Sequence, residues 1–199
     1  MRFYSPRFWS ITICRLALAV VLLSGCDGGP RFKSTDITGA DYGKTLELTD
    51  HTGRPRRLED WRGKVVVLFF GFTHCPDVCP TTLADLSQVM KVLGPDADRV
   101  QVLFVTVDPE RDTREVLGKY VGAFDPRFLG LSGDAGATQR AAREFKVYYE
   151  KRKTSDGYSV DHSGQTYVID PRGRLRLFVR PDRLASDLLE DLRTLLRES

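Results

Sequence analysis

The chain has 199 residues, 41% of them hydrophobic and 29% charged, which suits one domain with a buried core and a leader better than two packed domains. Its formal charge of +3 arises in the first 26 residues, which carry Arg2, Arg7 and Arg15 and no carboxylate, so the remainder is neutral. A neutral domain gives no electrostatic reason to expect nucleic acid as a partner, and the mixture of Arg, Asp and Glu over 183–197 reads as a solvated helix face.

Arg2 and Arg7 precede the uncharged run Leu16 to Leu23, which is shorter than the roughly 20 residues a bilayer-spanning helix needs. The run ends in Leu23-Ser24-Gly25-Cys26, which is similar to the bacterial lipobox. This predicts a signal peptide over 1–26, a lipid anchor on Cys26, and a protein tethered at the extracytoplasmic (periplasmic) face of a bacterial cell membrane. Residues 27–40 are Gly, Pro and polar without apolar period, predicting a flexible tether, with the folded domain over 41–199. Cys14 falls in the leader, so Cys75 and Cys79 are the cysteines left to the folded part. A lone pair in an oxidising compartment points to redox or metal chemistry rather than a disulfide framework.

Leu46 and Leu48 alternate with polar residues ahead of His51-Thr52-Gly53, predicting a short hairpin. Val65 to Phe70 is β-branched and aromatic between glycines, the pattern of a strand buried on both faces. Leu83, Leu86, Met90 and Leu93 repeat at helical spacing behind a Thr82/Asp85 capping box. Val102 to Val107 reads as a second buried strand. A helix over about 113–124 follows, capped by Asp112, with Val116, Tyr120 and Phe124 facing inward. A short strand (Leu129 to Leu131), an Ala-rich helix (about 135–145), an extended Val147 to Tyr149 and a polar loop from Thr154 to Tyr158 come next. Gln165 to Ile169 and Leu175 to Val179 are strands joined at Asp170-Pro171-Arg172-Gly173. Asp182 caps a last helix with Leu184, Leu188, Leu192 and Leu195 in one stripe. This order predicts an α/β sandwich of the thioredoxin type. Its central sheet is mixed, with a parallel βαβ, an antiparallel C-terminal hairpin, helices on both faces and an N-terminal hairpin extension.

Ligand sites in such sheets lie beyond the carboxyl ends of the strands, which is where His74-Cys75-Pro76-Asp77-Val78-Cys79-Pro80 falls. Four-residue spacing at a helix start puts two sulfurs on one face, and the helix N-terminus favours thiolate. Pro80 is tolerated in a first turn. Two thiolates suit Cu(I), and an added imidazole accommodates Cu(II). Structural zinc would want four ligands, and no second ligand pair at short spacing is present. Of three histidines, His51 reads as an exposed turn residue and His74 as a loop-shaping neighbour whose side chain diverges from the sulfurs. His162, in the entry loop of the penultimate strand, is expected to face the thiols. Asp77, Asp108 and Asp161 read as turn and solvated-loop residues.

Four stretches, Phe70 to Pro80, Thr106 to Thr113, Val147 to Tyr149 and Tyr158 to Ser163, together resemble the SCO/SenC family over about residues 43–198. The resemblance implies a copper chaperone for cytochrome c oxidase assembly, with copper ligands at Cys75, Cys79 and His162. It implies binding of Cu(I) and Cu(II), and redox cycling of Cys75 and Cys79 as a disulfide. It also implies partners: oxidase subunit II, its assembly factors and a copper donor protein. A thiol–disulfide oxidoreductase acting on that copper site is the alternative. Against general disulfide exchange stand a three-residue spacer and Ser163-Gly164 in place of the proline expected before the facing strand. Val78-Cys79-Pro80-Thr81 also looks like the reactive-cysteine context of peroxiredoxins, but Pro76 stands where their threonine is expected.

Overall fold

The structure, a computed structural model, describes residues 29–155 and 157–198. The expected signal peptide and Cys26, the expected site of the lipid anchor, lie outside the described residues. Among these, no helix is long and apolar enough to cross a membrane.

The sheet is organised around β4 (Val65–Gly71), in which all seven residues are buried because both faces are covered. Val67 and Phe69 point into one core layer, Val66, Leu68 and Phe70 into the other. β4 lies parallel to β5 (Val100–Thr106), in register from Val65 opposite Val100 to Gly71 opposite Thr106. β6 (Leu129–Ser132) continues the parallel set, and the hairpin β2 (Glu47–Asp50) and β3 (Pro55–Arg57) extends it antiparallel. On the other side of β4, β9 (Thr166–Ile169), β10 (Leu175–Val179) and β1 (Thr35–Asp36) pair antiparallel. The expected thioredoxin-like mixed sheet is therefore present, in the order β1-β10-β9-β4-β5-β6-β2-β3.

Helix α1 (Val78–Leu93) and helix α4 (Leu184–Arg197) pack on one face through Leu83, Leu86 and Met90 against Leu188, Leu192 and Leu195. Helix α2 (Arg114–Gly122) joins that layer through Leu117 and Val121. Helix α3 (Ala135–Glu144) covers the opposite face with Ala141 and Ala142. The turn after β9 forms as expected. Asp170 accepts from the N–H groups of Arg172 and Arg174 at 3.0 and 2.9 Å, and Gly173 takes a φ of +73°.

Several local expectations are corrected. α1 begins at Val78, four residues before the proposed Thr82 cap, and Thr82 is buried inside it. The side chain that caps α2 is Thr113, which accepts from the Val116 N–H, not Asp112. Val116 is exposed, and Leu117 takes the inward position. Asp182 does not cap α4; it pairs with Arg180. The stretch expected as a tether joins the fold from Phe32 on. Thr35 and Asp36 add an edge strand, and buried Asp191 accepts from the Lys33 and Ser34 N–H groups at 2.7 and 2.9 Å. Finally, the region expected to loop from Thr154 to Tyr158 is the turn end of a two-stranded ribbon, β7 (Tyr149–Thr154) against β8 (Gly157–His162).

Buried carboxyls make the fold acid-sensitive. Burial alone would raise the Asp50 carboxyl, but bonds from the Thr52 hydroxyl, the Arg56 guanidinium and the Arg54 and Thr52 N–H groups hold it down to about 2. Asp170 is lowered in the same way, with Arg174 as its main counterweight to burial. A depressed folded-state pKa contributes stability that is present above the unfolded value, about 3.9, and lost as pH falls through the folded value. The denaturant midpoint, followed by fluorescence of buried Trp61, should therefore hold steady down to about pH 5 and fall between about pH 4 and pH 2. Asp50→Asn should flatten that limb, and an unchanged limb would show that Asp50 does not contribute.

Candidate metal centre

Phe69, Phe70 and Gly71 carry the chain to the carboxyl end of the sheet, where it bends through Phe72 to Asp77 into α1. Cys75 lies before the helix and is half-buried; Cys79 is in the first turn and fully buried. The two sulfurs therefore do not share a helix face, as the spacing suggested. The Cys75 sulfur instead sits over the helix N-terminus and accepts from the Cys79 N–H at 3.5 Å, where Asp77 makes no side-chain cap bond. Pro80 occupies the first turn, where its missing N–H removes no helical bond.

This geometry separates the two thiols. A hydrogen bond from Cys79 stabilises the Cys75 thiolate against the opposing effect of burial. The Asp77 and Cys79 N–H groups assist, and the Cys75 pKa is held down to about 4. The same hydrogen bond, then burial, push Cys79 far up. One thiolate and one thiol therefore stand at neutral pH, with the proton on the buried sulfur.

His162 ends β8 and brings Nε2 to 3.5 Å from the Cys79 sulfur. Its Nδ1 lies 2.9 Å from the Ser163 carbonyl oxygen. A carbonyl can only accept, so Nδ1 carries the hydrogen and Nε2 presents its lone pair to the sulfurs. The ring is walled edge-on by Phe72 (5.7 Å, 85°) and Phe69 (6.3 Å, 66°). The ligating atoms of Cys75, Cys79 and His162 all lie within 4.8 Å of one another. Bonds of about 2.3 Å from thiolate and about 2.0 Å from imidazole to one filled-shell ion separate sulfur and nitrogen by about 3.5–3.7 Å. The Cys79–His162 spacing meets that condition as it stands. The centre borders a groove of about 490 Å³ lined by Phe72, Pro76, Val78, Val160 and Pro181, so a bound ion is reachable from solvent.

All three residues expected to be ligands are thus brought together. His74 is not one of them: its ring is half exposed and lies 3.1 Å from the Thr73 hydroxyl. His51 is not a free turn residue, since its Nδ1 accepts from the Gly130 N–H at 3.2 Å. Asp161 pairs with Arg152 at the surface, in line with a solvated loop. Asp108 stands at the expected strand-end turn, where its backbone carbonyl accepts from the Arg111 and Asp112 N–H groups, but its side chain is fully buried and accepts from the Tyr158 hydroxyl at 2.8 Å. Asp112 is also buried, accepting from the Thr73 N–H (3.0 Å), the Thr73 hydroxyl (2.6 Å) and the Thr106 hydroxyl (2.6 Å). It therefore fixes the loop that carries Cys75. The available signal for both was their place in the loop that follows an apolar strand at the binding end of the sheet.

Gly71 allows the close approach of α1 to the sheet. A Cβ there would stand 2.6 Å from the Cys79 sulfur and 2.8 Å from the Phe104 ring, closer than packed atoms tolerate. Gly71→Ala should displace Cys79 and cost about 1–3 kcal/mol in denaturant unfolding. A variant of unchanged stability and unchanged metal affinity would contradict this packing.

The SCO1/SenC family profile matches residues 34–197. The mitochondrial SCO2 homologue of Mus musculus is 42% identical over 152 residues, 74% of this chain and 60% of the mouse protein, so the chain spans about three fifths of that relative's length. The solution structure of apo Sco1 from Thermus thermophilus superposes with a TM-score of 0.75 at 43% identity, covering 84% of this chain and 99% of that one. Copper-bound ScoI from Bradyrhizobium japonicum superposes at 0.68 with 39% identity, covering 76% and 98%. A profile spanning the folded unit almost from end to end, supported by relatives at this identity, shows that the chain belongs to the SCO1/SenC family.

Proposed function

We propose that this protein binds copper through Cys75, Cys79 and His162 and delivers it to the dinuclear copper centre of cytochrome c oxidase subunit II. The convergence of two sulfurs and one correctly oriented imidazole within 4.8 Å carries the reading. Copper in the Bradyrhizobium relative and membership of the family support it. Thiolates favour Cu(I), and the imidazole adds a donor suited to Cu(II). Transfer proceeds by ligand exchange. The half-buried Cys75 and His162 face the groove and yield first to an incoming partner's donors, and buried Cys79 lets go last.

Anaerobic titration of the reduced protein should give one Cu(I) per chain, and apo subunit II should gain the absorption of its dinuclear centre on mixing. His162→Ala should keep part of the Cu(I) affinity and lose Cu(II). A stoichiometry near zero would overturn the proposal. The second reading draws on the same pair, since a depressed Cys75 thiolate backed by a protonated Cys79 would also serve as a dithiol reductant of the partner's cysteines. Full oxidase assembly by His162→Ala would favour that reading over copper delivery.

The proposed attachment is a lipid on Cys26 at the periplasmic face, supported by Leu23-Ser24-Gly25-Cys26. Mass spectrometry of the mature N-terminus tests it, and an unmodified Met1 would refute it.

A further inference from the structure

His162 sits on an element that cannot place it unaided. The β7–β8 ribbon has two strands, β7 is exposed along almost its whole length, and an isolated two-stranded hairpin is marginal in water. Alternation along β8 puts Tyr158, Val160 and His162 on one face, so whatever holds Tyr158 and Val160 to the body also sets the imidazole. Val160 is a buried plug in the core layer of Phe70 and Phe72. Tyr158 is held by polar bonds, and these come from a loop that supplies no ligand.

That loop is 107–113, between β5 and α2. Arg111 Nε donates to Asp108 Oδ2, and its Nη1 donates to the Tyr158 carbonyl oxygen at 2.9 Å. The Tyr158 hydroxyl donates to the other oxygen of Asp108 at 2.8 Å, closing a ring of bonds around one fully buried carboxyl. The guanidinium also lies 3.9 Å from the centre of the Tyr158 ring and 5.8 Å from that of Phe72, the edge-on wall of His162. One side chain thus grips the ribbon by backbone and ring, and touches the wall of the imidazole. Its remaining Nη2 is buried without a partner among the described residues, a costly arrangement for a residue whose role is stability alone. The same loop holds the other half of the site, because Asp112 fixes Thr73 ahead of Cys75. The distance between sulfurs and imidazole is therefore set by a third segment that both donor segments are bonded to.

We propose that Arg111 is a positioning residue for His162, acting through the Tyr158 carbonyl and Asp108, and that it tunes Cu(II) binding far more than Cu(I) binding. This rests on the copper-binding reading above. Cu(I) can be held by the two sulfurs, which Arg111 does not touch, whereas Cu(II) depends on the imidazole that Arg111 places.

The test uses Arg111→Ala, Arg111→Lys and Tyr158→Phe in the reduced protein, with Cu(I) and Cu(II) as probes and thermal unfolding as the check of folding. Arg111→Ala and Arg111→Lys should lower Cu(II) affinity about 10- to 100-fold, as loss of a group that orients a metal ligand does. Both should alter the nitrogen hyperfine pattern in electron paramagnetic resonance, with a smaller change for Cu(I). Lysine keeps the charge beside Asp108 but not the fork to the Tyr158 carbonyl, so it should not rescue. Tyr158→Phe keeps that fork but loses the hydroxyl bond to Asp108, so its Cu(II) affinity should fall less than that of either Arg111 variant. In the metal-free protein, the nuclear Overhauser contact between the Phe72 and His162 rings should weaken in both Arg111 variants. A folded Arg111→Lys with wild-type Cu(II) affinity, hyperfine pattern and ring contact would overturn the proposal, and it decides the matter if Arg111→Ala does not fold. If the wild-type protein takes up no copper, the copper reading falls, and the metal-free ring contact still decides whether Arg111 positions His162.

Discussion

Cys79→Ser should leave the reduced protein with Cu(I) affinity lower by about 10²–10³, because a hard hydroxyl replaces one of two soft donors. A structural zinc site of four ligands is worth about 10–16 kcal/mol, or roughly 2.5–4 kcal/mol per ligand, and each 1.4 kcal/mol is tenfold. Cys75→Ser should cost a similar amount. Oxidation to a Cys75–Cys79 disulfide should remove both donors, so binding should require a reductant. The proton inventory sharpens the expectation. Cys75 is already a thiolate at neutral pH and Cys79 holds the proton, so capture of Cu(I) should release about one proton rather than two. Affinity should accordingly rise about tenfold per pH unit through the neutral range. Competition against a chromophoric Cu(I) chelator at several pH values measures this, and a slope of two would show that both thiols are protonated in the free protein.

Asp112→Ala should destabilise the protein by about 3–5 kcal/mol. It strips the partners from three donors in a buried site, and each orphaned group costs about 1–3 kcal/mol. The donors are the Thr73 N–H, the Thr73 hydroxyl and the Thr106 hydroxyl, and the carboxyl between them has no exposed surface. Asp112→Asn should cost less, since its amide oxygen can still accept and the Thr73 hydroxyl can turn to accept from the new amide N–H. Because Thr73 lies two residues before Cys75, the alanine variant should also weaken copper binding at temperatures where it remains folded. Denaturant unfolding followed through Trp61, with copper titration alongside, tests both. A loss below about 1 kcal/mol would mean that water replaces the carboxyl at little cost.

Arg111, Asp108 and Asp112 show how unevenly the centre was legible. Their residue types are ordinary for a turn after a strand, and only their place at the binding end of the sheet sets them apart. Asp108 and Arg111 find their partner Tyr158 on the ribbon of β7 and β8, itself concealed because Tyr149–Thr154 is polar and exposed and has no apolar alternation. The ribbon is held by its backbone ladder, by Arg152 with Asp161, and by the contacts at Tyr158 and Val160. The edge strand Thr35–Asp36 escaped notice for a similar reason. It is fixed by pairing with Phe178 and Leu177 and by the distant Asp191, not by a pattern of its own.

By itself the chain determined what burial writes locally: the apolar runs of β4 and β5, the helical stripes of α1 and α4, the Asp170–Gly173 turn and the dithiol loop beyond the sheet. Burial selects composition at the positions that undergo it, so such segments announce themselves. Tertiary structure alone decided the 3.5 Å approach of His162 to Cys79 across 83 residues, which sulfur keeps the proton, and which loop holds the two halves together. Those are relations between surfaces that meet only after folding, and a distance between partners far apart in the chain leaves no period, run or cap in either of them.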